Sequence, residues 1–95
     1  MVRAPMATPP NTLHVYLKAQ WFDMFWAGTK TVEYRHNSGQ YAIEKLTPGR
    51  PVILYRGWSG YRMSAVIDHA NIEPGTMNQG VEIHLRNIQK MPNWK

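Results

Sequence analysis

Three short runs of the chain alternate between apolar and polar side chains, and that period of two constrains the fold more than any other feature. In Thr12–Lys18, Leu13, Val15 and Leu17 fall on one face, and His14, Tyr16 and Lys18 on the other. In Tyr61–Ile67 the apolar face is Tyr61, Met63, Ala65 and Ile67. In Val81–Ile88 it is Val81, Ile83 and Leu85, with Glu82, His84 and Arg86 opposite. Successive side chains of a strand point to opposite faces, so each run reads as a strand with one face in the core. Pro51–Tyr55 is apolar almost throughout and reads as a buried strand, and Gly57-Trp58-Ser59-Gly60 closes a hairpin after it.

The segment Gln20–Ala27 breaks this period. Phe22, Phe25 and Trp26 share one helical face, with Trp21 beside it. Gly28 then supplies a left-handed helix end. The spacing predicts one helix of about two turns, with Phe22 and Phe25 in the core. Thr31–Arg35 is short and β-rich, a second strand with Thr31, Glu33 and Arg35 on one face and Val32 and Tyr34 on the other. Strand parity alone would set Lys30 against Glu33 and Arg35. The three converge only if Lys30 sits in the turn after Gly28, before the strand begins.

His36–Pro48 is polar, with a helical turn expected near Tyr41–Lys45, and His69–Gly80 reads as an irregular connection marked by Pro74-Gly75. Met1–Asn11, with Pro9-Pro10, reads as a flexible arm and Met91–Lys95 as a tail, leaving 12–90 as the domain. About five short strands with one or two short helices give an α+β class, a small mixed sheet curled towards a barrel.

At 95 residues there is room for one modest core. The absence of cysteine excludes disulfides and a cysteine zinc site. His14, His36, His69 and His84 lack the i, i+4 spacing of a helical metal site and have no carboxylate cluster, so neither metal nor cofactor is expected. No stretch is apolar enough to span a bilayer and Met1–Asn11 lacks a signal-type apolar core, so a cytoplasmic location is expected. Eleven Lys and Arg against six Asp and Glu give a formal charge of +5, which favours an anionic partner. Taken with the aromatic residues, that partner is expected to be nucleic acid or a nucleotide.

Several residues carry candidate chemistry, each with an ordinary reading beside it. Lys30, flanked by Trp21 and Trp26, is a candidate base or amine nucleophile, or a cation for phosphate; otherwise it is a solvated lysine in a turn. Glu33 and Arg35 share a strand face and can order each other. Glu33 would accept from a base edge or move a proton, and Arg35 would orient it or hold phosphate; otherwise they are a surface ion pair of little energetic consequence. Trp21, Trp26, Trp58, Tyr34 and Tyr61 are candidate stacking surfaces, although aromatics at helical spacing usually belong to a core. Trp58, at a hairpin tip between Arg56 and Arg62, is the strongest stacking candidate; its other reading is a solvated hairpin.

The stretch Leu13–Arg35 resembles the ASCH family of the PUA-like superfamily. The resemblance centres on the pattern GxKxxExR, here Gly28, Lys30, Glu33 and Arg35, preceded by the aromatic helix and followed by LTPGRPVILYRG. It covers most of Leu13–Ile67. It implies a PUA-like β-barrel with a helix near its mouth and a cleft lined by the motif's Lys, Glu and Arg. It also implies RNA binding, or alternatively a small hydrolase: an amidohydrolase acting on acetylated cytidine, or a ribonuclease, with Lys30 and Glu33 as the catalytic pair. In the amidohydrolase relatives a threonine nucleophile stands where this chain has Glu33, and a carboxylate is a much poorer acyl acceptor for that route. Thr31 is near but at the wrong motif position. Those relatives also use a distant glutamate, and Glu73 is the only acid in the corresponding link.

Overall fold

The computed structural model describes residues 8–92. Residues 1–7 of the expected arm and 93–95 of the expected tail fall outside them. Five strands and one α-helix follow in the expected order: β1 (Leu13–Leu17), α1 (Ala19–Trp26), β2 (Val32–His36), β3 (Pro51–Arg56), β4 (Arg62–Ile72) and β5 (Gly80–Lys90). The turn expected near Tyr41–Lys45 is two short 3-10 turns, Gly39–Tyr41 and Ile43–Lys45.

The strands form one mixed sheet in the order β1-β3-β4-β5-β2. β1 runs parallel to β3, and every other pair is antiparallel. Parallel neighbours need a crossover. Here the chain between β1 and β3 carries α1, β2 and both 3-10 turns. β1 and β2 are therefore the two outer strands of a sheet curled into a half-barrel.

The alternation places the core as expected. Leu13, Val15 and Leu17 of β1, Met63, Ala65 and Ile67 of β4, and Val81, Ile83 and Leu85 of β5 are all buried. Val52 and Leu54 of β3 join them, and α1 lies over β1 and β3 with Phe22 and Phe25 buried. Each of these phenylalanines contributes roughly 1.5–3 kcal/mol through apolar surface removed from water.

Two sequence readings are corrected. Tyr61, expected on the inner face, precedes β4 and is 44% exposed, its ring meeting Trp26 edge-on. The connection expected over His69–Gly80 is only residues 73–79, because β4 continues to Ile72. The register of β4 against β5 slips twice, between Ser64 and Val66 and between Ile67 and His69. At the second slip β4 carries the extra residue, Asp68, and the inward set changes phase from Met63, Ala65 and Ile67 to Ala70 and Ile72. At the first slip the extra residue is in β5, where Asn87 has φ of 54° and Ile88 turns inward. Bulges of this kind bend strands and increase twist, which helps curl the sheet.

Candidate functional site

The end of α1 sets the site. Gly28, with φ of 80°, lets Thr29 N–H reach the Met24 carbonyl at 3.0 Å and Gly28 N–H reach the Phe25 carbonyl at 3.1 Å. These are the paired bonds of a Schellman cap, which needs a left-handed residue where Gly28 stands. The cap turns the chain back along the helix. Lys30 emerges from this turn two residues before β2 begins, as convergence with Glu33 and Arg35 requires.

Glu33 faces inward from β2 and is only 8% exposed. A buried carboxylate is costly without partners. Arg35, two residues on and on the same face, donates to Glu33 Oε2 from Nε at 3.0 Å and from Nη2 at 2.8 Å. The other oxygen, Oε1, lies 3.8 Å from Lys30 Nζ. The carboxylate is thus held between two cations, one bonded closely and one facing it across the cleft.

Both cations have further partners. Arg35 donates to the Tyr41 hydroxyl at 3.3 Å and to the Tyr16 carbonyl at 3.0 Å, and its guanidinium lies 4.9 Å from the centre of the Tyr41 ring. The Lys30 ammonium lies 5.8, 5.4 and 5.2 Å from the ring centres of Trp21, Phe25 and Tyr34. Each is within cation–π range.

Around these groups opens a cleft of about 650 Å³ between α1, the end of β1 and β2. It is lined by Tyr16, Leu17 and Lys18 of the first segment, by Trp21 of the helix, and by Lys30, Glu33, Tyr34 and Arg35. Its charged side chains are three cations and one carboxylate. Tyr16, Trp21 and Tyr34 are each more than two-fifths exposed, so the rim offers aromatic surface over a charged floor.

Of the residues singled out in the sequence, Trp21, Lys30, Glu33, Tyr34 and Arg35 meet in this cleft. Arg56, Trp58 and Arg62 do not line it; they belong to the β3–β4 hairpin and its flanks. Arg56 pairs with Asp23 of α1 at 3.0 Å, and that hydrogen bond raises the guanidinium's pKa. Trp58 is 86% exposed, its ring 5.1 Å from that of Tyr16. Glu73 lies at the start of the β4–β5 connection, bonded through its backbone to Gly80, and is not among the cleft residues. Thr31 lines a different hollow, with Met63, Leu85 and Lys90.

Tyr16, Lys18 and Tyr41 were not singled out as site residues. Parity in β1 put Tyr16 and Lys18 on its outer face, but nothing local shows that β2 returns to meet that strand. No group of three or more His, Cys, Asp or Glu that could hold a metal ion occurs among the described residues.

Among solved structures, the chain is similar to a crystal structure of a serine-to-alanine variant of ZmASCH from Zymomonas mobilis. The TM-score is 0.60, with 12% identity over 84% of this chain and 70% of that one. The chain has an ASCH-like fold. No family model matches the sequence, and no curated protein matches it. At 12% identity the likeness concerns the arrangement of elements alone. Within this ASCH-like fold, Gly28–Arg35 runs from the helix cap into an outer strand. That path brings Lys30, Glu33 and Arg35 to one cleft. No helix among the described residues is long and apolar enough to cross a membrane.

Proposed function

We propose that the cleft binds a nucleotide of single-stranded RNA and that the domain is a binding module. The observation that carries this reading is the pairing of an exposed aromatic rim with a floor where Lys30 and Arg35 flank the carboxylate of Glu33, with the exposed Lys18 also lining the cleft. Aromatic faces take unstacked bases, and cations take the backbone. A cleft of about 650 Å³ falls within the usual range for small-ligand sites.

In this reading Lys30 holds phosphate. Glu33 Oε1, not used by Arg35, accepts from a base edge. Arg35 chiefly positions Glu33, since most of its donors are already engaged within the fold. The ASCH-like fold and the formal charge of +5 support the same class of ligand. Titration of the intrinsic tryptophan fluorescence with short single-stranded RNAs, at low and raised salt, tests it. Binding that weakens as salt rises is expected; no binding at low salt overturns it.

A second reading rests on the 3.8 Å approach of Lys30 Nζ to Glu33 Oε1, with both side chains largely sheltered. The pair would then serve as acid and base in a small hydrolase, acting on a modified nucleoside or on RNA. The chain keeps a carboxylate where the amidohydrolase relatives carry their threonine, so acyl transfer to that position is not part of this reading. Incubation with acetylated cytidine and with labelled RNA tests it. Turnover abolished in Lys30→Ala and Glu33→Gln supports it, and turnover unchanged in both removes these residues from any mechanism.

A further inference from the structure

Four rings form a continuous column on the outer face of β1 and β3. His14 and Tyr16 point outward from β1, and Tyr16 is in register with Tyr55 of β3. The His14 and Tyr55 rings are stacked with centres 5.7 Å apart. The Tyr55 and Tyr16 rings are 4.5 Å apart and 13° from parallel, and Trp58 lies 5.1 Å beyond Tyr16, tilted by 39°. A hydrogen bond of 2.7 Å between His14 Nδ1 and the Tyr55 hydroxyl fixes the inner end. At the outer end Trp58 is 86% exposed, so most of its ring surface is open.

The column touches the cleft through Tyr16, which stacks in the one and lines the other. We infer that the column ending at Trp58 is a second subsite, which stacks the base adjacent to the nucleotide held in the cleft. The inference rests on the reading of the cleft as a nucleotide site and extends it from one nucleotide to a length of single strand.

Its chemistry favours nucleic acid over an apolar partner. The column presents ring faces, not an aliphatic patch. Arg62 of β4 is in register with Tyr55, and Arg56, paired with Asp23, ends β3 just before the hairpin that carries Trp58. A base adds one more ring on the open face of Trp58, and any base can do so, which gives length preference with little sequence preference.

The test compares a uridine mononucleotide with an eight-residue oligouridine on wild type, Trp58→Ala, Trp58→Phe and Lys30→Ala. Trp58 is exposed, so its variants keep the fold. Trp58→Ala is expected to weaken oligonucleotide binding by about tenfold and leave mononucleotide binding unchanged, with Trp58→Phe retaining most of the affinity. Oligonucleotide affinity unchanged in Trp58→Ala overturns the inference. Equal weakening of both ligands also overturns it, because the column is then no separate subsite. Unchanged binding of both ligands in Lys30→Ala overturns the cleft reading instead; a selective loss in Trp58→Ala still supports stacking at the column.

Discussion

Arg35 Nη2 donates to the Tyr16 carbonyl at 3.0 Å, joining two outer strands that the backbone ladder leaves unpaired. The same side chain grips Glu33 through two of its nitrogens. One guanidinium thus closes the gap between β1 and β2 and compensates a buried charge, a task suited to its rigid fork of donors. The cleft exists because a side chain, not a strand, spans this gap.

Loss of that guanidinium is expected to be costly. Arg35→Ala leaves Glu33 buried with only Lys30 nearby, at 3.8 Å. Breaking a fully buried pair typically costs about 3–5 kcal/mol. The Arg35 side chain is 25% exposed, so roughly 2–3 kcal/mol is expected, a fall in Tm of about 10 °C or more. Glu33→Gln in the Arg35→Ala background should recover part of the loss, because it removes the unpaired charge. Chemical denaturation of the two single variants and the double variant checks this. A change below about 0.5 kcal/mol in Arg35→Ala would contradict it.

The helix cap makes a separate prediction. Gly28 has φ of 80°, and a Cβ there would meet nothing within 4 Å. Gly28→Ala therefore costs only the left-handed backbone penalty of roughly 1–2 kcal/mol. Thermal unfolding should show Tm lower by roughly 5–15 °C, with Gly28→Asn intermediate. Alanine tolerated without loss would mean that the cap does not set the turn leading to Lys30.

Tyr55 gives the domain an alkaline sensitivity. Burial, aided by Tyr16 and partly offset by Arg62, raises its hydroxyl above the usual 10.0. The folded chain thus holds this proton more tightly than the unfolded chain. The stability it contributes is complete below about pH 10 and is lost as pH rises towards the folded value. Tyr55→Phe abolishes that loss. It also removes the bond to His14, at a cost of about 0.5–1.5 kcal/mol independent of this titration. Denaturation at about pH 8 and about pH 11 should show a smaller drop for Tyr55→Phe than for wild type. Equal drops would contradict the assignment.

The inner faces of the three alternating runs were legible in the sequence, apart from Tyr61 ahead of β4, because period two is a local signal. It fails where a bulge resets the period. Past Ile67 the apolar residues Ala70 and Ile72 fall out of phase with Met63, Ala65 and Ile67, so the pattern reads as a strand end where the strand only slips. The cleft was half legible. Gly28, Lys30, Glu33 and Arg35 lie within eight residues, and the helix cap with strand parity brings them together. Tyr16 was not, since its carbonyl and ring join the site across 19 residues of sequence, through an approach of the two outer strands that no local pattern encodes.

The central claim is that the cleft binds single-stranded RNA with Lys30 as its phosphate-holding cation. Lys30→Ala leaves the Glu33–Arg35 contacts in place and so tests binding apart from folding. The most direct measurement is the affinity of wild type and Lys30→Ala for one short single-stranded RNA across a salt series. The account predicts that Lys30→Ala binds about tenfold more weakly at low salt and shows a shallower salt slope, with an unchanged fold by circular dichroism. Equal affinity and equal slope for the two proteins would contradict it.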